Sequence, residues 1–327
     1  MRLWRVARRI VVYGAVSVLV LVLGLIALLY TPWFKRYARD FIVRQSHSII
    51  NGDLSIGRLS GNFFSGVVLE DVAVQQGSVP AVRINKLVVH YSVSQIARGN
   101  TIAIDRLEVT GLKLVVVHLP SGGLNLGSLI KKRQPSGKPR RTIDIREIQL
   151  DNAELTFDRS WGPSWMRLPL RISGLTSTLG LLSREGLLSF PIKALRADAF
   201  EPAFSVRNFT GEVAIEPDGW RIRQGTLNSA GSSLLVSSSF KSSGYEVTAD
   251  ASTFDFPEMA RLVPGLRTID VPARVQLQLT GPQTALNTHL TARSAAGNVK
   301  ADVVLDSTVP GWTGKGRAEL TLSLIHI

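Results

Sequence analysis

A chain of 327 residues, 45% of them apolar, with a formal charge of +13 and no cysteine, has neither a disulfide scaffold nor a thiolate metal site available, so burial and strand pairing must supply its stability. The charge suggests a polyanion binder until it is located. Residues 1–44 carry Arg2, Arg5, Arg8, Arg9, Lys35, Arg36, Arg39 and Arg44 against Asp40, KKRQPSGKPRR at 131–141 adds six basic residues, and the remainder is neutral. A neutral body offers no continuous basic face, which argues against nucleic-acid binding.

Ile10–Tyr30, IVVYGAVSVLVLVLGLIALLY, is 21 residues without a charge. As a helix rising about 1.5 Å per residue it matches a hydrocarbon core of about 30 Å and is expected to cross a membrane. A cleavable signal peptide has a shorter apolar run and ends at a small-x-small site, which ALLYTPWF lacks, so the expectation is an uncleaved signal anchor. Residues 1–9 then form a cytoplasmic tail with Arg5, Arg8 and Arg9 at the membrane interface. The bulk of the chain lies on the far side, since long domains translocate largely regardless of charge. In a two-membrane bacterium this describes a single-pass inner-membrane protein with a periplasmic body.

Residues 32–51 place Phe34, Tyr37, Ala38, Phe41, Ile42, Gln45 and Ile49 at helical spacing, Trp33 and Tyr37 suit a headgroup layer, and Asn51-Gly52 ends the run. Two readings stay open: an interfacial helix that plugs the start of a sheet, and a plain helical stalk.

From residue 52 to 321 the pattern is β. TIAIDRLEVTGLKLVVV and TIDIREIQLDNAELTFD lie 41 residues apart, and their apolar positions correspond seven for seven: Ile102, Ile104, Leu107, Val109, Leu112, Leu114 and Val116 with Ile143, Ile145, Ile148, Leu150, Ala153, Leu155 and Phe157. A threonine leads each, and Gly111 and Asn152 occupy the same turn-prone place. Two apolar residues at period two, a skip of three, then two more would exchange faces in a plain strand and so suggest a bulge or tight bend. Shorter copies occur at Leu54–Leu59, Val67–Val74, Val82–Val89 and Phe190–Ala197. Further on, the alternation continues with serine and threonine on the polar side, and Glu216-Pro217-Asp218-Gly219 reads as a hairpin turn. Short helices are expected at 94–99, 124–130 and 256–265.

Such strands have one apolar face, which must be covered by helices, a second sheet, closure, or something other than protein. Helices are too few. A sandwich, a barrel, or a long curled sheet with a dry inner side remain.

No G-x-S-x-G elbow, phosphate-binding glycine loop, dinucleotide fingerprint or HExxH helix occurs, so no enzyme, cofactor or metal is expected. His47, His90, His118, His289 and His326 are scattered, and His118 ends an alternating strand as a satisfied surface residue would. The segment 131–141, broken by Pro135, Gly137 and Pro139, reads as a solvated loop, with contact to anionic headgroups as the sharper alternative.

The uncharged run followed by LSIGRLSGNFFSGVVLEDVAV, VRINKLVVHYSVSQIARGNTIAIDRLEVTGLKLVVV and PSGGLNLGSLI resembles the amino-terminal part of the AsmA/TamB family of bacterial envelope proteins. GNFFSGVVLEDV is more similar to the TamB branch, since the proline-containing element frequent in AsmA is absent. The resemblance implies a mostly β fold: a transmembrane helix, then a long, curled, repetitive antiparallel β-sheet forming an open gutter with an apolar interior, and few short helices. It further implies phospholipid acyl chains as ligands, moving between inner and outer membrane. For TamB it also implies an outer-membrane barrel partner, met through a carboxy-terminal region beyond this sequence, and a part in assembling secreted β-barrel proteins. The final residues, Leu322–Ile327, match the translation of a common sequencing-library transposon end, so they are expected not to be biological.

Candidate groove residues are Ile102, Ile104, Leu112, Leu114, Val116, Ile143, Ile145, Leu155 and Phe157, with the inward parity left open. The rival reading is an assembly protein whose sheet is sealed and whose strands pair with client polypeptides by edge addition.

Overall fold

The computed structural model describes residues 31–77, 79–92, 101–119, 124–129, 131, 142–158, 166–184, 186–308 and 313–322. The run Ile10–Tyr30, Arg5, Arg8 and Arg9, the helix expected at 94–99, the basic loop apart from Lys131, and residues 323–327 lie outside the described residues. Among the described residues no helix is long and apolar enough to cross a membrane.

Sixteen strands build one open sheet: β1 (Asp53–Asn62), β2 (Gly66–Gln76), β3 (Val79–His90), β4 (Thr101–Val116), β5 (Thr142–Phe157), β6 (Arg171–Arg184), β7 (Leu187–Phe200), β8 (Phe204–Val206), β9 (Asn208–Glu216), β10 (Gly219–Asn228), β11 (Ser233–Lys241), β12 (Gly244–Phe254), β13 (Ala273–Gly281), β14 (Leu286–Ser294), β15 (Gly297–Asp306) and β16 (Thr313–Leu322). They follow chain order across the sheet, with β8 off the path as a short partner of β7. At about 4.8 Å per strand the path extends roughly 70 Å. The helices are α1 (Pro32–Ser46), α2 (Asn125–Leu129) and α3 (Phe256–Met259), with a 3-10 turn at Pro264–Leu266. The hairpin read from sequence is present: β9 ends at Glu216 and β10 begins at Gly219.

An antiparallel sheet was expected, and every pairing is antiparallel except one. β4 and β5, the two seven-position copies, lie side by side and parallel, with Ile102 opposite Ile143, Ile104 opposite Ile145, Leu114 opposite Leu155 and Val116 opposite Phe157. The 41-residue offset is the register itself. After a 16-residue strand, the residues from 117 to 141 leave enough chain to return to the starting rim, the length a parallel connection needs. Charges on the other side of the pair reinforce the register: Arg106 meets Glu147 at 3.2 Å and Lys113 meets Glu154 at 3.6 Å. Being exposed, each contributes only about 0.2–1 kcal/mol. A one-residue slip would set Arg106 against Ile148 or Arg146, and Lys113 against Leu155 or Ala153.

The skip of three is a line of special backbone positions. Between paired neighbours, Gly57, Asp71, Asn85, Gly111 and Asn152 stand side by side across β1 to β5. Asp71, Gly111 and Asn152 have φ of 52°, 66° and 53°, the left-handed region that glycine, asparagine and aspartate tolerate best. The pairing passes this line one residue to one, with no register shift, and the left-handed residues take up the odd step, so the face does not switch. Ile56 and Leu59, on either side of the skip in β1, share one buried cluster with Leu69 and Val72, joined by Ile84, Leu87 and Val89 of β3.

Helix α1 starts where Thr31 accepts a hydrogen bond from the Phe34 amide at 3.3 Å, with Pro32 in the first turn, a favoured cap arrangement. It packs on β1 through Ala38 and Val43, while Phe34 meets Phe63 edge-on at 5.4 Å. Helix α2 places Leu126 and Leu129 against Val74, Ala81 and Val82. It is tied to the chain leaving α1, since the Asn51 amide donates to the Leu129 carbonyl and the Lys131 amide to that of Ile49. At the same rim, α3 is pinned by the buried carboxylate of Glu258, which accepts from the Ser229 hydroxyl at 2.6 Å, the Ala230 amide at 2.9 Å and the Gly231 amide at 3.1 Å.

Two stability experiments follow from these contacts. Gly111→Val puts a β-branched residue at positive φ, against the Asn85 side chain, and is expected to lower the urea midpoint of the sheet's circular-dichroism signal by at least about 1–2 kcal/mol equivalent, whereas Asn152→Gly leaves it unchanged within error. Glu258→Ala strands buried donors whose bonds to a charged group are worth about 1.5–3 kcal/mol each, and should accelerate tryptic cleavage at Arg261 and Arg267 while the sheet signal is retained.

Candidate functional site

Which side of the strands is apolar follows from register. In an antiparallel pair, directly opposed residues point to the same face. Leu107, Val109, Leu112 and Leu114 of β4 oppose Val89, Leu87, Ile84 and Val82 of β3, and three of these four belong to the β1–β3 cluster. In β5, Ile145 and Ile148 oppose Leu181 and Leu179, two residues apart in β6 and so on one face. All nine groove candidates therefore share one side. Val116 and Ile145 are buried, at 3% and 8% exposure, and the other seven are half-buried. Leu112 follows the left-handed Gly111 and has Ile84 as its partner in β3.

The same face continues through the rest of the sheet. Leu188 opposes Ile215, Ile215 opposes Trp220, Trp220 opposes Phe240 and Phe240 opposes Tyr245. Trp220 stacks on Phe240 at 4.3 Å, and Phe240 meets Tyr245 edge-on at 5.0 Å. Beyond them Val299, Ala301, Val303 and Leu305 of β15 face Leu320, Ala318, Gly316 and Gly314 of β16. Sequence reading missed this row, although Ile215 and Trp220, placed symmetrically about the turn at Pro217-Asp218, carried the signal.

Among the described residues, helices cover the apolar face only near its beginning, where α1 and α2 lie over β1 to β3, and at one rim, where Phe256, Met259 and Ala260 are buried. No second sheet stands opposite among the described residues. Ile215 and Trp220 keep 45% and 44% exposure, and the largest side chain wholly buried among the described residues is Leu286. A sealed sandwich of this many strands would bury a continuous layer of leucine, isoleucine and phenylalanine.

The opposite face is polar and paired within itself. Glu147 is shared by Arg106 and Lys193, and Glu154 by Lys113 and Arg171. Lys241 lies 3.2 Å from Glu216 and 3.6 Å from Asp218; the hydrogen bond to Glu216, and then the nearby charge of Asp218, push its pKa above the usual lysine value. Hollows of about 640 and 720 Å³ on this side are bounded by Arg221, Arg223, Ser237 and Lys193 among others. Their charged walls already pair, Arg221 with Glu216 and Arg223 with Glu212, so they present no converging set for a ligand.

The histidines of the described residues are dispersed. His118 bonds Asp158 at 2.7 Å, His289 pairs with Asp302 and His90 with Glu108, and no group of three metal-ligating side chains occurs among the described residues. Trp33 and Tyr37, assigned to a membrane interface from sequence, are exposed on α1 with their rings stacked at 5.9 Å. No family model, curated protein or solved structure matches the chain.

Proposed function

We propose that this chain is an inner-membrane-anchored periplasmic protein of the AsmA/TamB type, whose apolar sheet face curls into a gutter and carries phospholipid acyl chains toward the outer membrane. The observation that carries this reading is one continuous apolar face across the open sheet, half-buried over β4 and β5 and not sealed by the described residues. Acyl chains gain about 0.8 kcal/mol per CH₂ on leaving water for such a surface. The face is a route and not a driving force.

The alternative reading is assistance to outer-membrane or secreted β-barrel assembly by strand pairing.

The test is phospholipid content of the full chain, purified in mild detergent and measured by mass spectrometry. Wild type is expected to retain phospholipid and the Leu114→Asp/Leu155→Asp variant to lose most of it. Leu235→Asp retains it, because Leu235, 58% exposed, opposes Asp250 on the polar face. A wild-type protein free of phospholipid, or a double variant with a full load and an intact sheet spectrum, overturns the gutter.

A further inference from the structure

We propose that the outer side of α1 is a docking surface for an anionic phospholipid bilayer, with the helix lying along the membrane plane. Trp33, Tyr37 and Phe41 are spaced four residues apart, so they form one stripe on the helix, and they are 64%, 51% and 48% exposed. They are not a remnant of packing against the sheet. That work falls to a different side of the helix, where Phe34 meets Phe63, Ala38 and Val43 enter the β1–β3 cluster, and Ser46 is buried. The helix thus has two apolar sides, one committed to β1 and one without a protein partner among the described residues.

Three observations select a bilayer as the occupant. Tryptophan and tyrosine combine an apolar ring with a polar tip, the chemistry that places them at headgroup level. Arg36 and Arg44, three residues past Trp33 and Phe41, stand exposed beside the stripe, and the helix's one acid, Asp40, is held by Arg39 at 2.8 Å, so the net charge offered is positive and complements anionic headgroups. The uncharged run Ile10–Tyr30 ends immediately before the cap residue Thr31. Docked in this way, α1 would hold the first strands of the sheet at the membrane surface through its Phe34–Ala38–Val43 side. The inference takes from the proposed function only membrane attachment, and it stands whether or not lipid travels along the sheet.

The absence of cysteine makes the test direct. The full chain carrying Tyr37→Cys, Phe41→Cys or, as a distant polar-face reference, Thr248→Cys is spin-labelled and placed in nanodiscs of phosphatidylcholine, with or without one-quarter phosphatidylglycerol. Collisions with oxygen and with a water-soluble nickel chelate report depth. Labels at 37 and 41 are expected to favour oxygen several-fold over the reference, more strongly with phosphatidylglycerol. Adding Arg36→Glu and Arg44→Glu to the Phe41→Cys chain is expected to return that label toward the reference. Labels at 37 and 41 that match Thr248→Cys overturn the docking surface. Depth that ignores both phosphatidylglycerol and the two charge reversals overturns its anionic character. Water-like labels on a protein that still retains phospholipid sink the docking surface alone, whereas buried labels on a lipid-free protein sink the gutter alone.

Discussion

A β-strand alternates its side chains between two faces with a period of two, and an insertion of one residue turns everything beyond it to the other side. In this chain the apolar spacing breaks that period once in β1, β2 and β3 and twice in β4 and β5, yet one face stays apolar. The device that reconciles the two is the line Gly57, Asp71, Asn85, Gly111 and Asn152, three of whose members adopt left-handed backbone. The backbone turn at this line takes up the odd residue locally. Because the positions align across β1 to β5, neighbouring strands keep register on both sides of the line, and the apolar rows pass from strand to strand without interruption.

An uninterrupted apolar face on a single sheet poses an immediate energetic question, since half-buried leucine and isoleucine leave part of their transfer free energy unrealised. Close neighbours across the strands recover some of it, in the crowded β1–β3 cluster and the row from Leu188 to Tyr245. Helices recover more where they lie on the sheet. What is left over β4 to β12 is a row of half-buried and exposed apolar side chains, Ile215 and Trp220 among them, and contiguous exposed apolar surface commonly marks a binding site. The ion pairs of the polar face, such as Arg106 with Glu147 and Lys113 with Glu154, supply specificity of register.

Much of this was legible in the sequence, for identifiable reasons. The strands were visible because alternation is local, and the hairpin at Glu216–Gly219 because its turn residues are diagnostic. The correspondence of residues 101–117 with 142–158 was also visible, but its meaning was not. Similar spacing is compatible with adjacent antiparallel strands, distant repeats or a parallel pair, and only three-dimensional register separates them. The alignment of these positions across β1 to β5 could not be read from Gly111 and Asn152 alone, because Asp71 and Asn85 acquire their role from lateral neighbours in other strands. For the candidate site, the nine residues chosen from the two long copies do share a face. The aromatic row was overlooked because Trp220, Phe240 and Tyr245 come from three different strands, none with unusual composition. The buried cap on Glu258 had no sequence signature beyond a serine-rich turn some 27 residues upstream of it.

The parallel seam between β4 and β5 has a consequence for how the sheet is assembled. Every other adjacent pair can close by a local turn or a modest loop, so those strands can be laid down one after another as polypeptide is delivered. Across the seam, chain must first travel the full width of the strands before any contact rewards it, and the entropy of that excursion is lost in advance. The seam therefore separates two blocks of neighbour-to-neighbour pairing, one beside the amino-terminal helix and one beyond it, and the matched isoleucines, leucines and charges set its alignment.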